Sequence, residues 1–157
     1  TISDFSRPPS LTEGNSLVLD SIIEKRKNAV CKISLSSHTG TGFLVCTQTL
    51  EDRFRLIRDR FAALGGSALS SHSFSFILTN NHVVDEKTTR ATATFKYVSS
   101  YDRGTAYNLR PDIFLCTNKK LDYTFVACER VHGVDPLPIS IKFTMKIGTD
   151  VTLVGHR

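Results

Sequence analysis

No stretch of this chain approaches the roughly 18 consecutive apolar residues that a membrane-crossing helix requires. Nothing in it reads as a signal peptide, with a basic head, an apolar centre and a small-residue cleavage site. The four cysteines, Cys31, Cys46, Cys116 and Cys128, form no CxxC and share no Cys/His spacing suited to a metal. Internal repeats are missing, which excludes a solenoid. Positive charge is in surplus by five, but it is scattered. Only Lys25, Arg26 and Lys27 and the arginines between positions 53 and 60 cluster, and acidic neighbours dilute the second group. That is too thin a basic patch to expect nucleic-acid binding. The chain begins at Thr1 rather than Met, so the expectation is a processed or excised piece.

What is present suits one domain. At 157 residues, 40% hydrophobic, with a mean hydropathy of −0.11, the chain can bury a core. Its first 14 residues are polar, with Pro8 and Pro9, and read as an extended arm. Residues 17–28 carry Leu19, Ile22 and Ile23 on one side and charges on the other, which predicts a short helix capped by Asn15 or Ser16. Short apolar runs follow at 29–35, 41–46, 74–79, 91–98, 112–116 and 123–128, most of them separated by turn-forming residues. That rhythm predicts an antiparallel sheet or barrel. Each cysteine lies in such a run, so buried free thiols are the expectation; Cys31 and Cys46 could also meet across a hairpin.

Two segments break the rhythm. Leu50, Phe54, Ile57, Phe61 and Leu64 are spaced four, three, four and three apart among charged residues, the stripe of a helix. Gly65, Gly66 and Ser67 end it, and a serine-rich loop with His72 follows. This helix either packs its stripe on the barrel wall or serves as a docking or oligomerisation element. The second break is a connector at 135–139 stiffened by Pro136 and Pro138, after which 149–155 reads as the opening strand of another sheet.

The most informative residues are Leu78, Thr79, Asn80, Asn81, His82, Val83 and Val84, preceded by Gly40, Thr41, Gly42, Phe43, Leu44 and Val45. An apolar strand that ends on a histidine places an imidazole at the rim of a rigid scaffold. A hydrolytic base must sit there, within reach of a nucleophile and of a carboxylate that sets its tautomer. Gly40 and Gly42 read as backbone-fit residues of the hairpin, Gly42 letting the chain pass beneath the histidine. Asn80 and Asn81 are candidates to brace the loop through side-chain bonds. Asp122 immediately precedes a second apolar strand, in Leu121, Asp122, Tyr123, Thr124, Phe125, Val126 and Ala127. Asp85 is too close in sequence to aim at the His82 ring and is read as a turn cap. His38, His72, His132 and His156 lie in turn-like or terminal sequence and read as solvated.

These motifs resemble those of trypsin-like peptidases of the chymotrypsin fold, in particular their intracellular, HtrA-like branch. The resemblance covers about 29–155 apart from the 50–73 segment. Val83 stands where secreted members carry a paired cysteine, which favours the non-secreted branch. The resemblance implies an all-β fold: a chymotrypsin-like antiparallel β-barrel and the start of a second, with an N-terminal helix and a helical insertion. Residues 1–28 would be arm and helix, 29–134 the first barrel with the insertion at 48–73, and 135–157 the linker and first strand of the second barrel. It also implies an endopeptidase using a Ser-His-Asp mechanism, with His82 as general base and then acid, Asp122 as its orienting carboxylate, and neither cofactor nor metal. Protein or peptide substrates follow, as does an intracellular setting in cytoplasm or nucleus.

The family's Gly-x-Ser-Gly-Gly nucleophile context is missing. Ser67 follows two glycines but precedes His82 within the insertion, and it fits poorly. The expected nucleophile therefore comes from a C-terminal fragment of the same polypeptide, left by an autoproteolytic nick or lost. That fragment, or a second copy, would cover exposed barrel surfaces. Two alternatives remain: a catalytically inactive peptidase-like binding module, and a cysteine-nucleophile relative, for which none of the four thiols is suitably placed.

Overall fold

The computed structural model describes residues 13–46, 59, 74–96, 104–138, 144, 146–151 and 153–155. Helix α1 spans Glu13–Lys27 and ends on Lys25, Arg26 and Lys27, cations that complement the negative end of the helix dipole. It starts earlier than its apolar positions indicate, so Asn15 and Ser16 lie within it rather than capping it. Ile23 is half-buried, whereas Val18, Leu19 and Ile22 are exposed. An ion pair of 3.0 Å joins Lys25 to Asp135 in the connector after the sheet. Both partners are well exposed, so the pair contributes at most about 1 kcal/mol.

Seven strands follow: β1 Val30–Ser34, β2 Thr39–Val45, β3 Phe74–Thr79, β4 Thr92–Phe95, β5 Thr105–Asn108, β6 Leu115–Asn118 and β7 Tyr123–Glu129. They form one antiparallel sheet in the order β5-β4-β1-β2-β3-β7-β6. Within it, β4-β1-β2-β3 has the spatial order of a Greek key. The sheet curls into a half-barrel. The chain leaving β5 meets β7 at a Leu109–Cys128 bridge, and Arg110 N–H donates to the Ala127 carbonyl at 2.7 Å.

Alternation decides which side chains enter the core. Along β1, Cys31 and Ile33 are fully buried while Val30, Lys32 and Ser34 are half-buried. They join Leu44, Ile77, Val84, Phe95 and Val126 on one side of the sheet. β7 is buried on both faces, because Phe125 and Ala127 pack with Phe76, Phe114 and Cys116 in a second cluster. There the Phe76 and Phe114 rings meet edge to face at 5.8 Å.

The structure corrects several expectations. The run at 112–116 is displaced: 111–113 is a turn and β6 begins at Leu115. Pro111 favours the turn, and Arg110 grips Asp112 through two hydrogen bonds of 2.9 and 2.8 Å. β5 is an addition to the expected strands, since this exposed edge carries no apolar alternation. The cysteines are free, as expected, but Cys46 is only half-buried and does not meet Cys31, which lies opposite Gly42 with Cys46 beyond the paired end of β2. No described residue in 144–155 belongs to a strand, and Ile147, Val151 and Leu153 are exposed. Of the expected helix at 50–64 only Asp59 is described, and it is helical. Ser67, His72, His156 and Arg157 lie outside the described residues, as does the N-terminal arm up to residue 12, while Glu13 and Gly14 belong to α1 rather than to an extended arm. Among the described residues no helix is long and apolar enough to cross a membrane.

Candidate active site

β3 ends at Thr79, and the next residues close one helical turn: Val83 N–H and Val84 N–H both donate to the Asn80 carbonyl at 3.1 Å. His82 sits on that turn. The turn is seated on its neighbours through small and buried residues. Val83 packs against Gly40, where an added Cβ would lie 2.5 Å from Val83 Cγ2. The close approach beneath the histidine thus belongs to Gly40, while Gly42 makes room for Ile33 and Ile77.

Asp122 occupies the tip of the β6–β7 hairpin with φ of +52°, a left-handed conformation in which aspartate is less disfavoured than most residues. There the carboxylate receives two bonds from one residue. Oδ1 accepts the His82 backbone N–H at 3.0 Å, and Oδ2 lies 2.7 Å from His82 Nδ1. A carboxylate facing Nδ1 selects the tautomer that carries its proton there, so the Nε2 lone pair is left for chemistry. The ring is 71% exposed and the Asp122 side chain 44%. The His82 backbone N–H, followed by its ring, holds the Asp122 carboxyl below the usual carboxylate range, so it is ionised at neutral pH.

Behind the pair runs a buried hydroxyl relay. Thr124, with no exposed surface, donates to the Val84 carbonyl at 2.6 Å. Its one proton being used, it accepts from Thr117 Oγ1 at 2.6 Å, and Thr117 in turn accepts from Asn81 Nδ2 at 2.7 Å. The relay therefore ties residues on either side of His82 to the hairpin that carries Asp122. Each buried polar group finds a partner, and such chains strengthen cooperatively.

Of the remaining sequence candidates, Asp85 closes the next turn instead, its Oδ1 accepting from Lys87 N–H at 3.0 Å and Thr88 Oγ1 at 3.2 Å. His132 is exposed. His38 does more than its sequence indicates: Nε2 lies 3.0 Å from the Val83 carbonyl and Nδ1 2.8 Å from Ser37 Oγ. Donation from Nε2 to that carbonyl leaves Nδ1 to accept the serine proton. Thr117 and Thr124 also escape a sequence reading; the one signal is a hydroxyl at Thr124 inside an otherwise apolar run.

Two of the thiols, Cys31 and Cys128, are poorly suited to act as nucleophiles. Burial, then the nearby Cys128, pushes the Cys31 thiol far above its ordinary value. Burial, then Glu129, raises Cys128 to about 12. Among the described residues no three His, Cys, Asp or Glu side chains gather as a metal site.

The chain matches no family model, and no curated protein matches it significantly. An imidazole oriented by an ionised carboxylate, with its ring exposed, can accept a proton at Nε2 from a weakly acidic hydroxyl and return it to a leaving group.

Proposed function

We propose that this chain provides the base and the orienting carboxylate of a peptide-hydrolysing enzyme of the chymotrypsin fold. The nucleophile, a serine, and the oxyanion hole would come from a C-terminal segment outside this sequence. The observation that carries the reading is the bidentate hold of Asp122 on His82, with Nε2 left open at the sheet rim. The Greek-key half-barrel, and the resemblance of the residues around His82 and Asp122 to trypsin-like peptidases, support it.

In this reading His82 Nε2 removes the serine proton as the oxygen attacks the substrate carbonyl. The resulting imidazolium is stabilised by Asp122 and then protonates the departing amine. Ile147, Val151 and Leu153, exposed beyond the connector, would be covered by the remainder of the molecule or by a second copy. Four free thiols, three of them buried, fit a reducing, intracellular compartment.

The test uses the natural polypeptide, a fluorophosphonate probe and a peptide substrate. The expected result is a labelled serine beyond this sequence and hydrolysis abolished by His82→Ala, with folding intact because the ring is exposed. Asp122→Asn should lower turnover by about four orders of magnitude through the wrong tautomer. Hydrolysis indifferent to His82→Ala would defeat the reading. Absence of both label and hydrolysis would leave a peptidase-like binding module in its place.

A further inference from the structure

Asn80 opens the turn that bears His82, and its backbone and side chain do separate work. Its carbonyl accepts the N–H groups of Val83 and Val84, which closes the turn. A capping side chain would bond to N–H groups of that same turn. Instead Asn80 Nδ2 crosses to the β6–β7 hairpin and donates to the Asp122 carbonyl at 3.0 Å and to Oδ2 at 3.3 Å.

The target is unusual, because Asp122 is held at φ of +52°. The left-handed region is costly for residues other than glycine, though less so for aspartate. A hydrogen bond is enough to decide such a local choice. A bond to the Asp122 carbonyl fixes the peptide plane that follows it, and a bond to Oδ2 fixes the carboxylate torsion. Both amide protons sit on one nitrogen, so a single uncharged side chain sets backbone and carboxylate together.

From this geometry we infer that Asn80 is a positioning residue, the clamp that keeps Asp122 in the conformation from which it orients His82. The inference rests on the reading of His82 and Asp122 as base and orienter. It adds a residue that touches neither substrate nor the reacting nitrogen and acts only through Asp122. Because Asn80 is exposed, shortening it opens no cavity, and folding and positioning can be separated.

The experiment compares Asn80→Ala and Asn80→Asp with the parent chain. The readout is the tautomer of His82, taken from the nitrogen-15 shifts of its ring at alkaline pH, where imidazole is neutral. Asp122→Ala provides the limit in which the carboxylate is gone. The expected result is a predominantly Nδ1-protonated ring in the parent chain and a mixed tautomer in Asn80→Ala. Asn80→Asp should move further toward the Asp122→Ala limit, since it replaces a donor by a repelling charge. Melting temperatures of the Asn80→Ala and parent chains should agree within about 2 °C, as for other surface changes. In the natural polypeptide, Asn80→Ala should lower kcat about tenfold with KM unchanged, the worth of one charge-assisted bond. A parental tautomer in Asn80→Ala overturns the inference whatever the activity. A shifted tautomer beside hydrolysis indifferent to His82→Ala upholds the clamp and removes the enzymatic reading.

Discussion

Replacing Thr124 by valine keeps a β-branched side chain and deletes one hydroxyl from a site with no solvent exposure. The Val84 carbonyl then loses its donor at 2.6 Å, and the Thr117 hydroxyl loses its acceptor at the same distance. Thr117 can fall back on the Tyr123 carbonyl, 3.2 Å away, so most of the cost falls on Val84. A buried acceptor without a partner costs about 1–3 kcal/mol, and the added methyl returns about 0.8 kcal/mol. The net expectation is a destabilisation of about 0.2–2 kcal/mol, or a fall in Tm of up to about 8 °C for a chain of this size. Thr124→Ser keeps the relay and loses only a methyl, so it should be the milder change. Urea titrations monitored by circular dichroism give both values, with an unchanged slope showing that the unfolded state is unaffected. A cycle with Asn81→Ala tests the relay as a unit, with a coupling of about 0.5 kcal/mol or more. Valine as stable as threonine, with serine the worse of the two, would refute the reasoning. Packing alone would then explain the position.

Gly40→Ala puts a methyl 2.5 Å from Val83 Cγ2 and should destabilise by about 1–3 kcal/mol, seen as a lower Tm. Pairing it with Val83→Ala should recover part of that loss. Asp122 is held below the ordinary carboxylate range, so its contribution is fully present above the unfolded value and disappears as pH falls through the lowered folded value. Asp112, lowered first by its hydrogen bond from Arg110, and Glu129, lowered first by the Asn108 N–H, titrate in the same sense. Asp122→Asn should therefore flatten the acid limb of stability against pH only in part; an identical limb in wild type and variant contradicts the His82–Asp122 bonds.

The local parts of this molecule are legible in its amino-acid sequence. β3 coincides with the run at 74–79 because an apolar stretch bounded by polar turns leaves few choices. His82 and Asp122 stand out as polar residues at strand ends, and they meet as two residues in that pattern would. What depends on partners far along the chain is hidden. β5 is recognisable only beside β4. The turn at 111–113 draws on an Arg110–Asp112 pairing that an apolar count does not weigh. Gly40 rather than Gly42 faces Val83 because the curl of β2 decides which glycine approaches the turn. The relay from Asn81 to Val84 likewise needs Thr117 and Thr124 side by side, and only the pairing of β6 with β7 puts them there.

Thr79 and Thr124 are partners in the β3–β7 ladder. His82 follows the first of them by three residues and Asp122 precedes the second by two, so both lie past the same end of one strand pair. Their separation is consequently a property of strand register, quantised by the ladder and not adjustable by loop length. Lengthening or shortening the connections at 46–73 or 96–104 would leave that spacing untouched, whereas a slip of a single residue between β3 and β7 would turn every side chain of one strand to the other face. Variation in this architecture should therefore gather in the long connections, and deletions inside β3 or β7 should be the changes it cannot absorb.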